Sequence, residues 1–323
     1  MVETQAVENK ESVKEVSENM RERFIGTLLG AAVGDALGGP VEFMTAQEIA
    51  NRYGTVREMI GGGSYNWKGG EYTDDTSMML CIAESLAIRQ GYYPEDMARR
   101  FVAWYNKSNP KNIGGTTREA LTRLCENVPL WRSGVREKPT NGSVMRCAPL
   151  SLMYYRNEEA LVEASREISA ITHSHPEAEL SCIFINVMIA RLLMGASKKA
   201  AYAYATEKTK GIDRDFVKRY IGSSYNPEPS KGLAVNTLLL ATGSFLAAKS
   251  FEEAVVRAVN LGGDADTTGE VAGALAGAYF GRQGIPRRWS TKLNPRPAKH
   301  FVKLGEMLFN IEWSCFQEVS AEN

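Results

Sequence analysis

Two short stretches concentrate the residues that could do chemistry. The first is Tyr72-Thr73-Asp74-Asp75-Thr76, the second Gly262-Gly263-Asp264-Ala265-Asp266-Thr267-Thr268. Each sets two acids beside threonines, follows a glycine-rich approach and opens an apolar, helix-forming run. Carboxylates and hydroxyls with no basic residue between them are oxygen ligands for hard cations. Asp and Thr at a helix start are also ordinary caps, favoured by the positive end of the helix dipole. A cap needs one side-chain oxygen, so an adjacent acid pair plus Asp-x-Asp-Thr carries more acid than capping requires. The spacing predicts that the two helix beginnings meet in space and hold a pair of divalent cations.

Weaker candidates lie between them. Glu42 follows Gly38-Gly39-Pro40-Val41, a helix stop, and sits either in solvent or beside a cleft. Asn141-Gly142-Ser143, before the apolar Val144-Met145, can turn free backbone N–H groups toward an anion such as phosphate. Arg146 is expected inside the following helix in a buried ion pair. His173-Ser174-His175-Pro176 holds two of the three histidines. They could ligate a metal, contact a base or phosphate, or simply cap the next helix. A turn-rich loop, Asn109 to Thr117, includes Asn112 and Gly115.

The elements that position these residues read as helices almost throughout, and alternating strand patterns are rare. The pattern predicts an all-α fold, with helices near Arg21–Gly38, Asp74–Arg89, Pro94–Asn106, Thr116–Glu126, Glu177–Met194, Gly232–Ala248, Phe251–Asn260, from Thr267 onward, and Lys299–Phe309. The first carries Gly26, Gly30, Gly34 and Gly38, and the helix after Thr267 carries Gly269, Gly273, Gly277 and Gly281. Glycine every fourth residue makes one smooth ridge on a helix. Each glycine costs about 1 kcal/mol against alanine in a helix interior, so a close backbone neighbour is expected along each ridge. The two ridges are candidates to pack on each other; the alternative is a separate large neighbour for each.

The 323 residues allow a sizeable core and carry 38 basic and 38 acidic side chains. That balance argues against a nucleic-acid partner or a polybasic membrane contact driven by bulk charge. Cys81, Cys125, Cys147, Cys182 and Cys315 form no C-x-x-C pair and are expected as buried, reduced thiols. Residues 1–19 lack the apolar core of a secretory signal and are expected as a mobile extension before one domain over 20–323. No stretch is expected to span a membrane. A cytoplasmic monomer is the resulting expectation.

Taken in order, five stretches resemble the ADP-ribosylglycohydrolase family: Gly26-Thr27-Leu28-Leu29-Gly30 through Gly34-Asp35-Ala36-Leu37-Gly38 and Glu42; Tyr72 to Thr76; Asn141-Gly142-Ser143-Val144-Met145-Arg146; His173-Ser174-His175-Pro176; and Gly262 to Thr267. The resemblance runs from about Phe24 to Gly281. It implies a compact, single-domain orthogonal bundle of helices and a site for two divalent cations, Mg²⁺ or Mn²⁺. It implies Thr73, Asp74, Asp75, Asp264, Asp266 and Thr267 as their ligands, and Asp75 or Glu42 as the proton-transferring carboxylate. Asn141, Gly142, Ser143, Met145, His173, Gly115 and Asn112 fall at the positions it assigns to substrate. The implied reaction is hydrolysis of the glycosidic bond at C1″ of ADP-ribose, on a modified protein side chain (arginine or serine) or a small molecule. Asn112 stands where many arginine-directed relatives carry an acid; it can hydrogen-bond a guanidinium but not deprotonate it. The same oxygens would also serve a two-metal phosphohydrolase acting on a nucleotide diphosphate, or a non-catalytic binder of ADP-ribose.

Overall fold

The computed structural model describes residues 2–108 and 110–321, with side chains for 16–108, 110–229 and 231–311. Asn109, the Cys315 side chain, and Met1 with the side chains of 2–15 therefore lie outside the described residues. The helices of six residues or more are α1 (Val2–Gly38), α2 (Ala46–Tyr53), α3 (Asp74–Arg89), α4 (Pro94–Ser108), α5 (Gly115–Cys125), α6 (Pro149–Tyr154), α7 (Glu158–Ala170), α8 (Pro176–Leu193), α9 (Lys198–Ile212), α10 (Ala234–Ala247), α11 (Phe251–Val259), α12 (Ala265–Phe280) and α13 (Ala298–Ala321). Among the described residues there are isolated bridges but no strands, so the fold is all-α as expected. The first helix begins much earlier than Arg21, at Val2.

The two glycine ridges pack on each other, antiparallel. A Cβ on Gly26 would lie 2.5 Å from the Gly277 carbonyl oxygen, one on Gly30 2.4 Å from that of Gly273, and one on Gly34 2.0 Å from that of Gly269. At the end of the ridge a Cβ on Gly38 would lie 2.3 Å from the Ala265 oxygen. Such distances leave room for backbone only, which is why the pattern tolerates these glycines within both helices. Gly281, expected as the fourth of the second ridge, instead ends α12 as its C-cap with φ of 70°. The register puts the C-terminal end of α1 against the N-terminal end of α12. Glu42 thereby comes beside Asp264 and Asp266, although some 220 residues separate them.

Helix α12 is the centre of the core. It is walled by α1, α11, α10 and α8, while α13 lies along α1 and α3. Its residues from Ala265 to Ala278 are all buried. The 16–41 stretch around α1 is long and apolar enough to cross a membrane by length and composition, contrary to expectation, yet its apolar window is wholly buried in this fold. Cys81, Cys147 and Cys182 are buried free thiols as expected, but Cys125 is exposed.

Candidate active site

Local chemistry fixes each acid-bearing helix start. Thr73 is the N-cap of α3, its hydroxyl accepting from the Asp75 N–H at 3.2 Å. That turn is held from outside by Asp35 of α1. The Asp35 carboxylate accepts from the N–H groups of Thr73 and Thr76, each at 3.0 Å, and from the Thr76 hydroxyl at 2.6 Å. With these donors taken up, Asp74 and Asp75 are free of capping duty. Asp264 occupies the N-cap of α12 but makes no capping bond. Its Oδ2 instead accepts from Asn141 Nδ2 at 2.7 Å.

The two clusters meet. Thr267 Oγ1 donates to Asp75 Oδ2 at 2.7 Å. Carboxylate oxygens of Glu42, Asp264 and Asp266 lie within 4.8 Å of one another. Around them a cavity of about 400 Å³ is lined also by Asp74, Asp75, Thr267, Asn112, Gly115, Asn141, Gly142, Met145 and His173. Two expected residues do not line it. Thr73 is buried and lines a neighbouring cavity instead, and the Ser143 hydroxyl turns inward, accepting from Ser169 Oγ at 2.8 Å and from the Cys182 thiol at 3.4 Å.

No Lys, Arg or His lies within ion-pair distance of Asp35, Glu42, Asp74, Asp75, Asp264, Asp266 or Glu270 among the described residues. Burial, then the charges of Asp264 and Asp74, pushes Glu42 up to about 9, against a weaker opposing bond from Asn112. Burial and the Asp35 charge push Asp74 up to about 8. Burial and the neighbouring acids raise Asp75 and Asp266 well above the carboxylate range. Oxygen donors crowded together, desolvated and lacking positive charge match what a hard divalent cation requires.

His173 and His175 have separate roles. His175 caps α8 through Nδ1, accepting from the Glu177 N–H at 3.2 Å. His173 is buried against Gly142, where a Cβ would come within 2.9 Å of its Nε2. Arg146 Nη2 donates to Thr172 Oγ1, and Thr172 Oγ1 contacts His173 Nδ1, both at 2.7 Å. The Thr172 hydroxyl hydrogen therefore goes to Nδ1, leaving the Nε2 proton on the Gly142 side. Burial, then the Arg146 charge, lowers the His173 pKa well below its usual value, so the ring is neutral.

Arg146 corrects the sequence expectation. It lies before α6 rather than within a helix, and among the described residues no acid lies within ion-pair distance of it. It is fully buried, donates to the Ile168 carbonyl at 3.2 Å, and sits 4.5 Å over the Phe101 ring.

The family model described as ADP-ribosylglycohydrolase matches residues 16–314. The chain belongs to the ADP-ribosylglycohydrolase family. It is 35% identical over 280 residues to the ADP-ribosyl-[dinitrogen reductase] glycohydrolase of Rhodospirillum rubrum, covering 85% of this chain and 92% of that one. It is 32% identical over 293 residues to the ADP-ribosylarginine hydrolase Tri1 of Serratia proteamaculans, covering 88% of this chain and 78% of that protein. A solved ADP-ribosylglycohydrolase-related protein complex superposes with a TM-score of 0.80 at 36% identity, covering 91% of this chain and 99% of that one. This ADP-ribosylglycohydrolase-family protein is a glycosidase-type hydrolase.

Two site residues escaped the sequence reading. Asp35 was visible only as an acid between Gly34 and Ala36; its partners are 38 and 41 residues away. Glu270 lies one turn beyond Asp266 on α12, fully buried, with neither carboxylate oxygen bonded. A lone acid directly before the apolar run from Val271 through Ala278 was its one signal.

Proposed function

We propose that this protein removes ADP-ribose from modified protein side chains or small molecules by hydrolysing the bond at C1″, with two divalent cations, Mg²⁺ or Mn²⁺, as cofactors. The carrying observation is the Thr267–Asp75 hydrogen bond, which joins two oxygen-rich helix starts 192 residues apart. Asp74, Asp75, Asp264, Asp266 and Thr267, which line the cavity, would hold the cations, while Thr73, which does not line it, would support them as the cap of α3. Bound there, they would supply Lewis-acid stabilisation of charge and a lowered pKa for water.

The chain's own residues supply the rest. The backbone N–H groups of Gly142 and Ser143 and the His173 Nε2–H offer donors to a diphosphate, while the Asn141 N–H is spent on the Gly232 carbonyl at 3.1 Å. Asn141 couples that loop to the acids through its bond to Asp264. Glu42 is better suited than Asp75 to move the proton. It sits on the connection between α1 and α2, held by one long bond of 3.4 Å from Asn112, whereas Asp75 Oδ2 is engaged by Thr267. Asn112 can orient a leaving-group N–H but cannot accept its proton. We further take the protein to act as a cytoplasmic monomer, with 20–323 as one domain.

The test is incubation with arginine- and serine-ADP-ribosylated proteins, with EDTA or with added Mg²⁺ or Mn²⁺, followed by product analysis. Free ADP-ribose that appears only with the cation is the expected result. Release of AMP would replace this reading with phosphohydrolysis, and full activity in EDTA would remove the cations from it.

A further inference from the structure

A second cavity, of about 590 Å³, adjoins the first. Asp74 and Asn112 line both. A sugar carbon held beside Asp74 in the first cavity therefore lies next to the second, on the side from which an acceptor would extend. Asn112 marks the boundary. Its Nδ2 donates to Glu42, while its buried Oδ1 has no hydrogen-bond partner. A buried acceptor left open is costly unless a ligand donor completes it.

The charges of the second cavity do not cancel. Its two acids outside the cation cluster are already matched, Glu71 by Lys111 at 2.7 Å and Glu84 by Arg100 at 3.3 Å. Lys107 and Arg296 also line it, both exposed, and neither has an acid within ion-pair distance among the described residues. They come from different elements, Lys107 from the last turn of α4 and Arg296 from the segment before α13. Two unmatched positive charges facing a groove that starts at the scissile position attract a segment carrying carboxylates.

We propose that the second cavity is an acceptor-side groove, and that it selects polypeptides bearing Asp or Glu next to the ADP-ribosylated side chain. This rests on the glycohydrolase reading above. Lys107 and Arg296 act as specificity residues, on KM and on salt dependence, because partly solvated charges steer and orient more than they bind. A small adduct without flanking residues does not reach them.

The experiment compares three substrates: ADP-ribosylarginine, an ADP-ribosylated peptide flanked by Glu, and the same peptide flanked by Lys. Wild type is set against a Lys107→Glu, Arg296→Glu double variant. The acidic peptide should exceed the basic one in kcat/KM by roughly tenfold at low salt, mainly through KM, and the double variant should bring that ratio to about 1 or below. An acidic-to-basic ratio near 1 for wild type, or a ratio the double variant leaves unchanged, overturns the groove. Fluorescence anisotropy with the two labelled ADP-ribosylated peptides reads the same preference without turnover. Preferred binding of the acidic peptide with no hydrolysis of any substrate would keep the groove and reject the glycohydrolase reading; equal binding would reject the groove.

Discussion

Cation-free protein should lose stability as the pH rises from about 4 to about 9, and a divalent cation should restore it. Asp74 is buried, and its pKa stands at about 8, raised first by burial and then by the Asp35 charge; unfolded, it returns to about 4. Between those values the folded state holds a proton that the unfolded state has released. Stability from this group is therefore complete below pH 4 and is lost as the pH climbs to 8. Four pKa units correspond to roughly 5 kcal/mol. Glu42 and the other acids of the cluster push the same way, but they share one repulsion, so the losses do not sum. For a 323-residue chain the unfolding entropy is about 0.7 kcal/mol/K, so 5 kcal/mol moves the Tm by roughly 7 °C. The assay is scanning calorimetry in EDTA from pH 5 to pH 9, repeated at pH 8 with Mg²⁺ or Mn²⁺. Cation at a hundred times its Kd adds about 2.7 kcal/mol, or roughly 4 °C. A Tm that is flat or rising over pH 5–8 in EDTA, or that ignores saturating cation, would refute the reasoning.

Five substitutions extend the test. Asp264→Asn should lower kcat/KM by more than about 100-fold, roughly 3 kcal/mol of transition-state stabilisation, with an unchanged circular-dichroism spectrum and no cation-dependent rise in Tm; an active Asp264→Asn enzyme contradicts the cation assignment. Asp35→Ala strips three hydrogen bonds from the start of α3 and should cost about 2–4 kcal/mol in denaturant unfolding while raising the cation concentration needed for half-maximal activity. Gly273→Ala would set a Cβ 2.1 Å from the Gly30 oxygen and should cost about 3 kcal/mol or abolish soluble expression, whereas Gly243→Ala, in open space on α10, should gain up to about 1 kcal/mol. Asp96→Asn should cost about 3 kcal/mol by urea titration at pH 7: burial works against its charge, but bonds from Arg100, Arg89 and Ser85 outweigh it and hold its pKa below the usual range, so that stability is present above pH 4 and fades in acid.

What could be read in the residues was what repeats locally. Two acid-and-threonine starts and two four-residue glycine periods are patterns within single helices, and both point outward to an absent partner. The α3 bounds, Asp74–Arg89, were legible because Thr73 caps one end and the apolar run supplies the rest. Pairwise geometry between distant residues was not legible. Asp35 carried no assigned role in the sequence, because its partners Thr73 and Thr76 reach it only once the α3 start is folded onto α1. Arg146 suggested an ion pair because a lone buried guanidinium is rare; its charge is instead met by the Ile168 carbonyl, the Thr172 hydroxyl and the Phe101 ring. Residues 1–19, rich in Glu, Lys, Val and Ser, read as a mobile or loosely helical extension; from Val2 the backbone continues α1. The second cavity has no sequence signature, since Lys107, Asn112 and Arg296 come from three separate segments.

The glycine ridges and the acid cluster are parts of one device. Backbone-to-backbone packing has no side-chain rotamers to relax, so the α1–α12 register cannot drift by less than a full ridge-to-groove step. That register fixes where Glu42 leaves α1 relative to where Asp264 and Asp266 enter α12. The Phe43 N–H reinforces the join, donating to the Gly263 carbonyl at 2.7 Å, while the Gly263 N–H donates to the Met44 carbonyl at 2.7 Å. Phe43 itself takes φ of 69°, a conformation non-glycine residues seldom adopt. The same α1 carries Asp35, which holds the α3 start. One helix thus sets the positions of both acid clusters, and the repulsion among their carboxylates is borne by a contact too rigid to open. A fold that tolerates seven neighbouring acids without a basic partner among the described residues needs that rigidity, because any softer interface would relieve the charge by moving apart.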